Sequence, residues 1–156
     1  VDEVLVDYAA QVQEAWLKIV RQYRVEQPNV EPIIPLRAPD NWTELTLRDE
    51  LVLCAPVRLE LLYSARGSRE FLSFRADLGG FRDLRVDGWV TDFAEIIQAR
   101  LAARSAHRGP TAVDLLVAAT AARHGAILLH YDRHFDAIAR VTGQPAEWIA
   151  RRGTIA

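Results

Sequence analysis

The stretch DLLVAATAARHGAILLHYDRHFD, from Asp114 to Asp136, decides the fold. It opens on an acid and continues as an Ala-rich apolar helix pattern that stops at Gly125. A short apolar strand, AILLHY (126–131), follows, and the stretch closes in YDRHFD. Helix, glycine, strand and helix in succession form one unit of an α/β chain. Lone carboxylates stand at both ends of a unit that otherwise reads as buried. Either Asp114 and Asp132 are ordinary capping residues, or they are held together to do chemistry.

Toward the C-terminus, DRHFDAIARVTG reads as a closing helix stopped at Gly143, and AEWIARRGTIA as a last strand or tail. Toward the N-terminus, TDFAEIIQARLAARSAHR (91–108) predicts a helix capped by Thr91, with Asp92 and Glu95 in its first turn. FRDLRVDG is a short strand and turn, and SREFLSFRADLGG (68–80) a helix with a Ser N-cap and glycines past its end. VRLELLYSAR (57–66) is a helix that Pro56 permits to start, preceded by a strand at 51–54 and a helix pattern before it. EVLVD (3–7) is a plausible first strand and residues 9–25 an amphipathic helix, with Val12, Trp16, Ile19 and Tyr23 at helical spacing. Residues 26–41 hold four prolines, an unusual loop for the middle of a compact domain. The expectation is a single domain over 1–156 with this atypical Pro-rich segment inside it. Strands alternating with helices predict an α/β fold around a mainly parallel sheet. Sites in such sheets form at the carboxyl ends of strands, where Asp7 and Asp132 both stand.

Half of the 156 residues are apolar and 26% are charged, as in an ordinary globular protein. No apolar run approaches the length of a membrane span, and the N-terminus shows no signal-peptide pattern, so a cytoplasmic location is expected. The single Cys54 rules out an intramolecular disulfide and any cysteine-cluster zinc site, and in LVLCAP it reads as a core residue. The net charge of −2 does not advertise a polyanion partner. The basic residues are 18 Arg and one Lys, a bias that suits phosphate but also follows from a GC-rich genome.

Four acids lie on or beside apolar elements: Asp7 after VLV, Glu60 inside RLELLYSA, Asp114 inside TAVDLLVAA, and Asp132 after ILLHY. Burying a carboxylate costs several kcal/mol unless it is paired or ligates a cation. Ser64 stands four residues after Glu60 and Ala118 four after Asp114, so no local helix ion pair neutralises either. A hard divalent cation such as Mg2+ or Mn2+ is one answer. Spacing alone leaves another: Asp114 as the third residue of a capping box begun by Thr111, Asp132 as an N-cap, and Glu60 facing solvent.

LELLYSAR, HRGPTAVDLLVAATAARHGAILLHYDRHFDAIA and TGQPAEWIARRGT resemble PIN-domain ribonuclease toxins of the VapC type, particularly their actinobacterial branch. The resemblance spans about residues 50–153, with the acidic helix start, the AATA helix, the glycine, the apolar strand and the D-x-x-F-D turn in order. It implies an α/β/α sandwich and an endoribonuclease, a hydrolase of phosphodiester bonds. It also implies Mg2+ or Mn2+ as cofactor, an RNA substrate, a VapB-type antitoxin and a homodimer. Family roles carry over to Glu60, Asp114 and Asp132 as catalytic, metal-binding acids. Thr111 resembles a position that supports the site, and His107–Arg108 matches a pair facing RNA or antitoxin. Asp7 is the candidate fourth metal acid, although YAA follows it where the family carries hydroxyl residues. Its distance from Glu60 is also long, which leaves three alternatives: the Pro-rich segment is a genuine insertion, the first acid is another residue such as Asp40, or the N-terminal third is foreign. His134 stands where many relatives carry another acid.

In the mechanism this implies, the metal lowers the pKa of a bound water and stabilises charge on the scissile phosphate. Arg66, Arg108 and Arg133 flank the motifs as candidate phosphate contacts. His107, His130 and His134 are further candidate ligands, without an H-x-x-x-H pair among them. The rival reading is an inactive PIN-like module that binds an antitoxin or RNA. A dehalogenase-like phosphohydrolase needs an Asp-x-Asp that VDYAA lacks, and no G-x-G-x-x-G supports a dinucleotide site. Leu62, Tyr63, Phe71 and Phe74 offer either core contacts or, where exposed, a groove for an antitoxin helix.

Overall fold

The computed structural model describes residues 51–148. The expected strand at 3–7, helix at 9–25, Pro-rich segment at 26–41 and helix pattern ahead of residue 51 lie outside them, as do residues 149–156. Asp7 and Asp40 are therefore outside the described residues.

Strand β1 (Leu53–Cys54) leads directly into helix α1 (Ala55–Tyr63), and α2 (Ser68–Leu78) follows. Strand β2 (Asp83–Leu84) pairs with β1 in parallel, Leu53 opposite Asp83 and Cys54 opposite Leu84. Helices α3 (Gly88–Ala102) and α4 (Ala112–His124) come next. Strand β3 (Leu128–His130), helix α5 (Arg133–Thr142) and strand β4 (Ala146–Trp148) complete the order. β4 pairs with β3 in parallel, Leu128 opposite Ala146 and His130 opposite Trp148. Both described strand pairs are parallel and each is bridged by helix, as a parallel pair requires.

The helix boundaries follow their caps. α3 starts three residues before the expected Thr91 cap because the Asp87 carboxylate accepts from the Val90 N–H at 3.1 Å. Thr91 instead donates its hydroxyl to the Gly88 carbonyl inside the helix. The same helix ends at Ala102 rather than 108, and Ser105 turns the chain with a φ of 56°. Ser68 is not the cap of α2 either: Gly67 is, and the Arg66 N–H donates to the Glu70 carboxylate at 2.8 Å. Gly125 and Gly143 take left-handed conformations at the ends of α4 and α5, as their places past the last helical residue predict.

Val90, Ala94, Ile97 and Leu101 recur at helical spacing on α3 and pack against Leu115, Ala118 and Ala119 of α4 and Phe135 and Ile138 of α5. The alanines of α4 let α3 approach closely, and burying each of the larger side chains contributes about 1.5–3 kcal/mol. Cys54 is buried, as a core residue should be, and burial pushes its thiol pKa up. This helical core anchors both ends of the 114–136 unit. Among the described residues no helix is long and apolar enough to cross a membrane.

Candidate metal centre

Asp114 lies in the first turn of α4 and is only 1% exposed. Thr111 caps that helix reciprocally: the Asp114 N–H donates to Thr111 Oγ1 at 3.2 Å, and the Thr111 N–H donates to Asp114 Oδ2 at 2.7 Å. The other carboxylate oxygen, Oδ1, is buried without a hydrogen-bond partner. Asp132 follows β3 and caps α5, its Oδ1 accepting from the His134 N–H at 2.8 Å. Its Oδ2 lies 3.2 Å from His134 Nδ1. Asp132 is also almost wholly buried. Both aspartates thus cap their helices with one oxygen, while Asp114 Oδ1 stays without a hydrogen-bond partner and Asp132 Oδ2 faces His134 Nδ1.

Asp114, Asp132 and His134 each offer one ligand atom, and these atoms all lie within 4.8 Å of one another. That spacing suits donors around one ion, since hard-cation ligands sit roughly 2–2.6 Å from it. The orphaned Asp114 Oδ1 is an independent sign of fit, because a buried acceptor without a donor is costly unless a cation takes its place. Glu60 stands outside this tight group. It is half-buried on α1, and burial first, then the negative charge of Asp114, raise its carboxyl above the ordinary range. Burial likewise raises Asp114, with the charge of Asp132 adding to it against the lowering effect of Thr111 and His134. The hydrogen bond to Asp132 raises His134 despite its partial burial.

The other candidates fall elsewhere. His130 is fully buried between Phe135 and Trp148, and its burial lowers its pKa. Its Nε2 comes no closer than 3.7 Å to Asp136 Oδ1, which accepts from Trp148 Nε1 at 2.9 Å. Neither His130 nor His107 joins the ligand group. Arg108 and Arg133 are exposed, whereas Arg66 directs its Nε to Glu70 at 3.3 Å. His134 is one of the three candidate histidine ligands of the sequence, and the one that stands where many relatives carry another acid. Its signal is the D-x-H spacing at a helix N-terminus, which places an imidazole beside the capping carboxylate.

The PIN domain family model matches residues 33–141 of the chain. This chain belongs to the PIN-domain family. The PIN domain is an α/β/α fold around a parallel sheet; the parallel sheet is expected from the alternation of elements and the sandwich from the resemblance. Ribonuclease VapC18 of Mycobacterium tuberculosis is 37% identical over 116 residues, covering 73% of this chain and 85% of that protein. Ribonuclease VapC51 of the same organism is 45% identical over 97 residues, 62% of this chain and 70% of that protein. Ribonuclease VapC21 is 34% identical over 110 residues, 69% of this chain and 78% of that protein. The likeness is therefore to the VapC type of PIN protein. The matched residues include Glu60, Asp114 and Asp132 and begin after Asp7.

Proposed function

We propose that this chain is a metal-dependent endoribonuclease of the VapC type, the toxin of a type II toxin–antitoxin pair. Its relatives are named VapC ribonucleases, and the observation that carries the reading is the group of buried Asp114 and Asp132 with part-buried His134, which holds an unspent carboxylate oxygen. Asp114 and Asp132 are the cation-holding, catalytic carboxylates. Glu60 is the third acid, and Asp7, outside the described residues, is the candidate fourth. Bound there, Mg2+ or Mn2+ supplies Lewis acidity to a water and to the scissile phosphate.

The chain's own residues hold the geometry. The Thr111 N–H fixes Asp114 Oδ2 and so presents Oδ1. The His134 N–H fixes Asp132 Oδ1 and so presents Oδ2. Arg108 and Arg133 are exposed, which supports their role as contacts to the RNA backbone. The proposed setting is the cytoplasm, with the protein as a homodimer and a VapB-type antitoxin as its partner. Leu59, Tyr63, Phe71 and Leu72 are exposed on α1 and α2, whereas Leu62 and Phe74 are buried, so only part of the aromatic stripe is available to an antitoxin helix.

The test is incubation of the purified full chain with RNA in the presence of Mg2+, Mn2+ or EDTA. The expected result is cleavage that EDTA stops and that Asp114→Asn lacks. Cleavage at the wild-type rate by that variant would reject the site. For the partner, co-expression with a neighbouring antitoxin reading frame should give a complex in which cleavage is suppressed. A complex that cleaves RNA undiminished would place the partner away from the acids.

A further inference from the structure

We infer that His134 is itself a ligand of the cation and sets its identity, so that the Asp114–Asp132–His134 group takes a first-row transition ion such as Mn2+ or Co2+ in preference to Mg2+. This rests on the metal-dependent reading above and adds the specificity of the site to it. Two kinds of donor atom meet there. Carboxylate oxygens come from the ends of two different elements, α4 and the β3–α5 junction, and an imidazole nitrogen completes the set within 4.8 Å.

The ring is held for that role from both sides. Its Nδ1 edge lies 3.2 Å from Asp132 Oδ2, so this is the nitrogen that faces the acids. Its far edge rests on Gly109, where a Cβ would stand 3.3 Å from His134 Cδ2 and 3.4 Å from Nε2. The imidazole thus occupies a slot between a residue without a side chain and the carboxylate that caps its own helix. Asp114 Oδ1, buried and without a donor, is an acceptor left over for the same ion.

Ligand chemistry then discriminates between ions. Mg2+ demands hard oxygen donors in near-ideal octahedral geometry and gives up water reluctantly. An imidazole donor suits first-row transition ions, and affinity in a mixed nitrogen and oxygen site rises from Mn2+ to Co2+. With an imidazole in place of a third carboxylate, the site also loses one negative charge, which weakens its hold on a cation bound by charge alone. The competing role for His134 is purely local: Nδ1–H donates to Asp132 and positions it, with no bond to the ion. In that case its removal would weaken every cation alike.

The experiment titrates metal-free full-length protein with MgCl2, MnCl2 and CoCl2 by calorimetry, and records pulsed EPR of the bound Mn2+. The expected result is nitrogen hyperfine coupling on Mn2+ in the wild type, absent in His134→Asp. The ratio of Mn2+ to Mg2+ affinity should fall about tenfold or more in the variant, the size of effect that changes next to a metal produce. His134→Gln, checked for folding by circular dichroism, gives a second variant that must also lose the coupling. Absence of nitrogen coupling in the wild type, or an unchanged ion ratio in both variants, would overturn the inference while leaving metal-dependent cleavage standing. No binding of any of the three ions by the wild type would overturn both. Neither readout requires RNA cleavage, so the two failures are told apart.

Discussion

Asp114 answers to two demands with its two oxygens. Oδ2 closes the capping box with Thr111, and Oδ1 is buried with nothing to accept from. Its carboxyl is raised first by burial and then by Asp132, and Glu60 is raised first by burial and then by Asp114. For an acid with a folded pKa above its unfolded one, the folded state binds the proton more tightly. Stability from that proton is full below the ordinary carboxylate range and is lost as pH rises through it to the raised value. Metal-free Asp114→Asn should therefore melt higher than the wild type at neutral pH, by about 1 kcal/mol for relief of the unsatisfied charge. The gap should close as pH falls through the carboxylate range, which thermal melts in EDTA would follow. A variant that melts lower at neutral pH would mean that the charge is already compensated in the metal-free protein. The same substitution should cost cleavage more than the roughly 10–100-fold that loss of an outer partner causes. The acid itself was legible as a carboxylate on an apolar helix without a local ion pair, with its capping box with Thr111 as the alternative. The fate of each oxygen was not, because it depends on which neighbour's N–H lies within reach.

At the scale of elements, the order of helices and strands over 51–148 could be read from periodicity and from Gly125 and Gly143, but several starts could not. Thr91 and Ser68 are residues of the capping type, yet the Asp87 carboxylate caps α3 and Gly67 is the N-cap of α2, with no side-chain cap bond there. Thr111 is the case where residue type and geometry agree. Its hydroxyl caps α4, and its backbone N–H aims Asp114, so it is a positioning residue. Thr111→Ala should cost about 0.5–2 kcal/mol of stability. By loosening Asp114 it should also lower cation affinity, whereas Thr111→Ser should restore both. Melting curves and calorimetric titration read the two effects separately. Loss of stability with cation affinity unchanged would confine Thr111 to the helix start.

At the scale of the molecule, the site joins segments far apart in the chain, and that is why its full membership escaped the sequence. Helix α4 brings Asp114 and the β3–α5 junction brings Asp132 and His134, while Glu60 stands on α1 outside that group. A cation that binds the folded chain and not the unfolded one stabilises it by RT ln(1 + [L]/Kd), about 2.7 kcal/mol at a hundredfold excess over Kd. Saturating Mn2+ should raise the melting temperature, EDTA should reverse the rise, and Asp114→Asn should show none. An equal rise in that variant would place the stabilising ion elsewhere. The contribution of Asp7 can be ranked in the same titration. Two carboxylates with a neutral imidazole already balance a dication, and Glu60 adds a further negative charge nearby. The family match also begins at residue 33, after Asp7. Asp7→Asn should therefore reduce cation affinity by less than Asp114→Asn does. Equal losses in the two variants would make Asp7 a full member of the metal site and bring the first strand of the chain to the ends of β3 and α4.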